Sequence, residues 1–167
     1  MDLWLFWAIH SLSKRTNSLN RIMILVSNKM RYIYLLVLVI LWFRNKSIPR
    51  IALLSGAFSL FLGSIIRMFH FRPRPFVNMR VGILIPSKRN SSFPSKHTLL
   101  AFAVSSTILF YHRTLGLIFT CLSVLTGLSR VWVGHHYPSD IFGSALIGSC
   151  TSWVTHFFFP KKRQPAE

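Results

Sequence analysis

Long apolar runs separated by short polar links dominate the chain, and five of them read as membrane spans. The first centres on Tyr32 to Phe43, YIYLLVLVILWF. A run of 12 residues is too short, because ~30 Å of hydrocarbon needs about 20 residues of helix. This span is therefore expected to begin near Ile22 or Leu25. Asn28, Lys29 and Arg31 then fall in its first turns and snorkel to the headgroups. The second span runs from about Ile48 to Phe69. Pro49 sits near its start, where a missing N–H costs little, and Gly56 and Gly63 suit close helix contact. The third runs from about Thr98 to His112 and the fourth from Thr114 to Trp132. The fifth runs from Ile141 to Phe159 and carries Gly143, Ser144, Gly148 and Ser149.

The N-terminal stretch LWLFWAIHSL, followed by Lys14 and Arg15, reads as an interfacial helix. It is a poor signal peptide, with Asp2 where a basic residue belongs and no A-x-A-like site after it. Antiparallel spans put two links on one face: Phe71 to Lys96, with four prolines, and Gly134 to Asp140, where Pro138 reads as a helix breaker. The pattern predicts an all-α fold: one membrane-embedded domain over residues 1–167, a polytopic bundle of five transmembrane helices plus the interfacial helix.

Composition supports this. Hydrophobic residues make up 51% and charged residues 14%, against about 25% charged in soluble domains. There are 20 Lys and Arg but 3 Asp and Glu, for a net charge of +17. An ordinary cytosolic enzyme is excluded, and the aromatic content excludes a disordered chain. The charge suits anionic lipid better than nucleic acid, since the apolar runs are long and no zinc-finger or basic-zipper pattern accompanies them. Two cysteines cannot build a disulfide scaffold or a four-Cys zinc site; Cys121 and Cys150, both in apolar runs, are expected to be buried thiols. Seven basic groups (Arg44, Lys46, Arg50, Arg113, Lys161, Lys162 and Arg163) fall on the face away from the two links, against 13 on the face with them. A raw positive-inside count sends the links to the cytoplasm. Phosphate-binding roles for some of the 13 would weaken that count, so composition leaves orientation open.

Asp140 is the one acidic residue between Asp2 and Glu167. Two-metal phosphatases use several carboxylates, and glycosidases normally need two. Catalysis here must run on His, Arg, Lys and Ser. Three segments on the predicted link face qualify. In SRVWVGHHYPSD, Asp140 follows His136 by four residues, so its carboxylate can orient one ring nitrogen and leave the other to attack. The plainer alternative makes His135 and His136 interfacial and Asp140 an N-cap. In SFPSKHT, Pro94 and Ser95 read as a helix start whose N–H groups could cradle a phosphate oxygen. Lys96 adds charge there, and His97 could protonate a leaving oxygen; the alternative is a capped helix with a surface Lys and His. In RMFHFRPRP, Arg67 and Arg74 offer forked donors for phosphate, or serve as a basic flank. Headgroup anchoring is the favoured reading for Arg72, Arg80, Lys88 and Arg89.

These residues carry a resemblance. Arg67 followed after six residues by Arg74-Pro75, then Pro94-Ser95-Lys96-His97, then Ser129-Arg130 with His136 and Asp140, resembles the three motifs of the type 2 phosphatidate phosphatase superfamily. The first motif usually opens with Lys, and the second usually reads Pro-Ser-Gly-His. AIHSLS, Arg74-Pro75-Phe76, FPSKHT and LTGLSRVWVGHHYPSD are similar to the bacitracin-resistance type of undecaprenyl pyrophosphate phosphatase, over roughly Ala8 to Phe158. The resemblance implies a metal-independent lipid pyrophosphate phosphatase that needs no cofactor. Its partners would be a polyprenyl pyrophosphate and membrane phospholipids. His136 would form a phosphohistidine, Asp140 would hold its ring, and His97 would protonate the leaving group and later activate water. Arg67, Arg74 and Arg130 would bind the phosphoryl group, with Ser95 helping. The site would face outward from a bacterial cell membrane. Lys96 departs from the motif and could bind the second phosphate of a diphosphate. The motifs are equally compatible with phosphatidate, phosphatidylglycerol phosphate or diacylglycerol pyrophosphate as substrate. The Lys96 departure also admits a non-enzymatic lipid-binding or transport component.

Overall fold

The structure is a computed structural model and describes residues 2–15, 17–79 and 81–159. Expectations resting on Arg80, Lys161, Lys162 and Arg163 lie outside the described residues. The elements are α1 (Asp2–His10), a 3-10 turn (Ser11–Lys14), α2 (Asn17–Arg44), α3 (Ser47–Phe69), α4 (Pro75–Asn78), α5 (Lys96–Tyr111), α6 (Arg113–Trp132) and α7 (Pro138–Phe158). The fold is all-α among the described residues, and α2, α3 and α6 are each long and apolar enough to cross a membrane. At 16 residues, α5 is shorter; it lies at the centre, against α3, α6 and α7.

Small and hydroxylated residues lie inside the bundle and large apolar ones outside. Ser55, Ser59, Ser105, Thr107, Ser123 and Ser152 are fully buried, while Leu36, Phe43, Phe61, Phe142 and Trp153 are exposed. Membrane helices have this pattern, because lipid tails solvate Leu and Phe as well as protein does and close contact favours small groups. The hydroxyls pair across helices. Ser59 of α3 bonds Thr151 of α7, Thr107 of α5 meets Ser152 of α7 at 2.8 Å, and Ser123 of α6 donates to Ser105 of α5 at 3.0 Å. Tyr34 of α2 joins Ser123 at 2.7 Å. Gly63 packs against Leu99 and Pro94, as its small size predicts.

The same pattern corrects the expectation for the cysteines. Cys121 and Cys150 are both exposed. An apolar run marks burial only when water surrounds the fold; here the outer helix faces are apolar too.

Two element starts differ from expectation. α2 begins at Asn17, so Asn28, Lys29 and Arg31 lie near its middle instead of in its first turns. No Pro or Gly interrupts residues 17–31, and Lys and Arg are good helix formers, so the helix continues past its apolar run. α7 begins at Pro138, which starts the helix instead of breaking the chain. Proline at a first helical position gives up an N–H that would have no partner anyway.

The end of α3, the start of α5, the end of α6 and the start of α7 meet at one end of the bundle. Gly134, at φ +84°, turns the chain from α6 into His135 and His136, a backbone angle that glycine adopts without a Cβ clash. α1 docks at this end. Phe6 and His10 are buried, and the His10 ring bonds the Trp132 carbonyl at 2.9 Å.

Candidate active site

A cavity of about 320 Å³ opens at this end of the bundle. His97, His136, Arg67, Arg74, Arg130 and Lys96 all line it, joined by Asn28, Lys88 and His135. The structure thus brings together six of the eight residues singled out from the sequence. The other two, Ser95 and Asp140, are fully buried behind the wall. Among the described residues no carboxylate lines the cavity, and several cations do.

Each lining group is held from behind. Arg67, on the last turn of α3, donates to the Pro94 carbonyl at 2.6 Å. Arg74 donates to the Ser87 hydroxyl at 3.0 Å and the Asn90 carbonyl at 3.3 Å. Burial and the Arg67 charge both push the Arg74 guanidinium below its usual value. The Asp140 charge opposes this, but guanidiniums crowded together favour any anion that enters.

Arg130 on α6 donates to Ser27 at 2.6 Å and to His135 Nδ1 at 2.8 Å. His135 Nδ1 must then be the bare nitrogen, and Nε2–H donates to the Ile85 carbonyl at 2.7 Å. Burial and the Arg130 charge push His135 down to about 4, against the pull of Ile85. His135 therefore acts as a neutral strut that fixes Arg130. Nothing in the sequence separated it from its neighbour His136.

His136 is 2% exposed. Burial pushes it down to about 3; Asp140 opposes the shift, and Arg74 and Arg130 reinforce it. At neutral pH the ring is then uncharged, with a lone pair free on one nitrogen. Its Nδ1 faces Ser92 Oγ at 3.4 Å and Asp140 Oδ2 at 3.8 Å, which leaves Nε2 available to the cavity. The second distance is beyond hydrogen-bond range. The Ser92 hydroxyl sits beside the pair, donating to Asp140 and facing the His136 ring. Asp140 is the third residue of α7 and also accepts the Tyr137 backbone N–H at 2.9 Å. The sequence gives no sign of Ser92 as a site residue, because its placement depends on a contact 48 residues away.

Two placements differ from the sequence reading. The Ser95 N–H, expected to cradle phosphate, instead donates to Ser144 Oγ at 2.7 Å and fastens α5 to α7. Arg72, read as a headgroup anchor, pairs with Asp140 and Asp2, each at 2.6 Å. Burial disfavours its charge, but the two carboxylates outweigh this and raise it. Arg89 is exposed, in keeping with a basic flank, whereas Lys88, though exposed, also lines the cavity.

A second cavity, of about 540 Å³, adjoins the first. Its walls are mostly apolar, from Met30, Leu35 and Leu38 of α2, Leu53 and Leu60 of α3, and Leu100 and Val104 of α5. Lys96 and His97 line both cavities. A further cavity at the opposite end, near Arg44 and Arg113, holds none of the predicted site residues.

The sequence model of the PAP2 superfamily matches residues 48–164. The chain belongs to that family. The undecaprenyl-diphosphatase BcrC of Bacillus subtilis is 38% identical over 151 residues, covering 88% of this chain and 78% of that protein. A Bacillus licheniformis protein described as bacitracin transport permease protein BcrC is 30% identical over 161 residues, covering 93% of this chain and 79% of its own length. The crystal structure of Aquifex aeolicus LpxE superposes with a TM-score of 0.78 at 26% identity, covering 92% of this chain and 93% of that one. The superfamily resemblance read from the three motifs is thus established, and PAP2 relatives include phosphatases of the undecaprenyl diphosphate type.

Proposed function

We propose that this chain is an integral membrane undecaprenyl diphosphate phosphatase, releasing the lipid monophosphate and inorganic phosphate. The observation that carries this reading is the position of His97 at the shared wall of a cationic and an apolar cavity. A lipid diphosphate has the same division, and a group at the boundary stands beside the bridging oxygen.

In this reading the terminal phosphoryl group enters the polar cavity among Arg67, Arg74 and Arg130. Phosphoryl transfer depends on positioning and on neutralising charge on the equatorial oxygens, and three guanidiniums supply both. His136 Nε2 attacks the terminal phosphorus, and the bond to the bridging oxygen breaks. His97 gives that oxygen a proton, and the lipid monophosphate leaves. Neutral His97 then takes a proton from water, whose oxygen attacks the phosphohistidine; the P–N bond breaks and phosphate departs. Lys96, at the junction, reaches the phosphate that stays on the lipid. A cavity lined by cations and no carboxylate repels a divalent metal, which supports metal-independent chemistry.

The bundle crosses the membrane five times in this reading, with α5 and α7 as inner spans, and α1 lies along the surface with Trp4 and Leu3 turned outward. We place the site on the extracytoplasmic face. The contrary charge count includes Arg67, Arg72, Arg74 and Arg130, which the structure commits to the cavity and to an ion pair; they weigh little as free topological signals.

The decisive experiment is phosphate release by the purified protein in chelator, across undecaprenyl diphosphate, phosphatidate, phosphatidylglycerol phosphate and diacylglycerol pyrophosphate. Undecaprenyl diphosphate is expected to lead, His136→Ala to abolish turnover, and Lys96→Ala to weaken diphosphates selectively. A glycerolipid preferred tenfold would move the assignment to that lipid. Lipid binding without turnover would make the chain a binding or transport component.

A further inference from the structure

Asp2 and Asp140 are the two acidic residues among the described residues, and they share one partner. Arg72 Nη1 donates to Asp140 Oδ1 at 2.6 Å and to Ser139 Oγ at 2.7 Å; its Nη2 donates to Asp2 Oδ2 at 2.6 Å. The Tyr137 ring lies 4.3 Å from the guanidinium. On the other side of the fork, Asp2 accepts the Ser139 N–H at 3.0 Å and the Ser139 hydroxyl at 2.6 Å. The Arg72 backbone is engaged as well: its carbonyl accepts the Ser92 N–H at 2.7 Å.

Arg72 therefore touches both members of the pair behind His136. Its side chain occupies one oxygen of Asp140. Its backbone seats Ser92, whose hydroxyl takes the other oxygen and faces His136 Nδ1. A carboxylate held at one oxygen alone can rotate; held at both, it offers one fixed direction. Arg72 does not line the cavity, so it does not meet the phosphate itself.

We propose that Arg72 is a positioning residue for His136, fixing Asp140 and Ser92 behind the ring and tying both, through Asp2, to the N-terminal helix. α1 thereby becomes part of the catalytic apparatus, beyond whatever contact it makes with lipid. The proposal rests on the reading of His136 as the nucleophile. It differs from headgroup anchoring in what it changes: a positioning residue affects kcat, whereas an anchor for the lipid affects KM.

The test uses the full chain with Arg72→Gln, Arg72→Lys, Asp2→Asn and the Arg72→Gln/Asp2→Asn double variant, on whichever phosphate lipid the wild type turns over best. Wild-type turnover judges the functional reading, and the ratio of variant to wild type judges this inference. Removing the groups that hold a metal-ligating imidazole from behind typically costs about 10–100-fold, and the same order is expected for a reacting imidazole. Arg72→Gln is expected to lose that much in kcat, with KM within about threefold. Lysine keeps the cation but lacks the fork, so Arg72→Lys should recover part of the loss. Asp2→Asn should lower kcat about 3–10-fold, and the double variant should be no worse than Arg72→Gln, because the two act as one unit. If Arg72→Gln does not fold, Asp2→Asn decides; it keeps the Arg72–Asp140 pair, and Phe6 and His10 still dock α1. A raised KM with unchanged kcat, no recovery by lysine, or an Asp2→Asn enzyme within twofold of wild type would overturn the proposal.

Discussion

Gly148 of α7 offers a test of how the bundle sets the site. A Cβ built there stands 2.5 Å from the Leu99 carbonyl oxygen, 3.1 Å from the Ala103 nitrogen and 3.2 Å from Phe102 Cβ. Two of these atoms are backbone, so no rotamer change relieves the contact. Gly148→Ala falls roughly 0.9 Å short of an ordinary 3.4 Å contact, and α5 and α7 must part locally. Overpacking of this kind costs about 1–3 kcal/mol. The strain arrives close to the chemistry, because Leu99 is two residues from His97 on α5. On α7, Asp140 lies eight residues from Gly148, or ~12 Å along the helix. A misplacement of about 1 Å between reacting groups can cost about 100-fold. Gly148→Ala should therefore lower kcat about 10–100-fold and Tm by several degrees. Thermal unfolding in detergent and phosphate release measure the two effects. Gly82→Ala is the control, since nothing lies within 4 Å of its Cβ position. A Gly148→Ala enzyme within twofold of wild type and unchanged in Tm would refute the link between α5–α7 spacing and catalysis.

Acid should destabilise the fold through its buried histidines. His135 and His136 titrate near about 4 and about 3 when folded, against about 6.5 when unfolded. Below about 6.5 the unfolded chain binds protons that the folded chain refuses, so stability falls as pH drops through that window and is level above it. A Tm unchanged between pH 7 and pH 4.5 would contradict this. For orientation, in a Cys121→Ser, Cys150→Ser background, Lys88→Cys should react with a membrane-impermeant maleimide on intact cells, and Arg113→Cys only after permeabilisation. The reverse pattern would put the site in the cytoplasm.

Much of this molecule is legible in its sequence, because the bilayer constrains it so strongly. The end of α3 at Phe69, the end of α6 at Trp132 and the interhelical role of Gly63 all follow from apolar runs and small residues. The His97, His136 and arginine cluster follows from placing alternating links on one face. What escaped the sequence depends on contacts between distant residues. Arg72 reads as one more basic flank until Asp2, 70 residues away, closes on it. Ser92 reads as a loop serine until the fold sets its hydroxyl on Asp140 and beside His136. The start of α2 lies before its apolar run, because a helix continues wherever nothing breaks it. The cysteines lie outside, although apolar runs suggest burial, because inside and outside exchange their usual composition in lipid.

The paired hydroxyls along the bundle have a consequence for assembly. In oil, greasy helices can slip past each other with little change in energy. Pairs such as Ser59 with Thr151 and Thr107 with Ser152 are made in the native alignment, and a slip of one turn would break them and force each hydroxyl to find a new partner. They act as a vernier running the length of the protein, and the two histidines at its end inherit their spacing from marks cut well away from them.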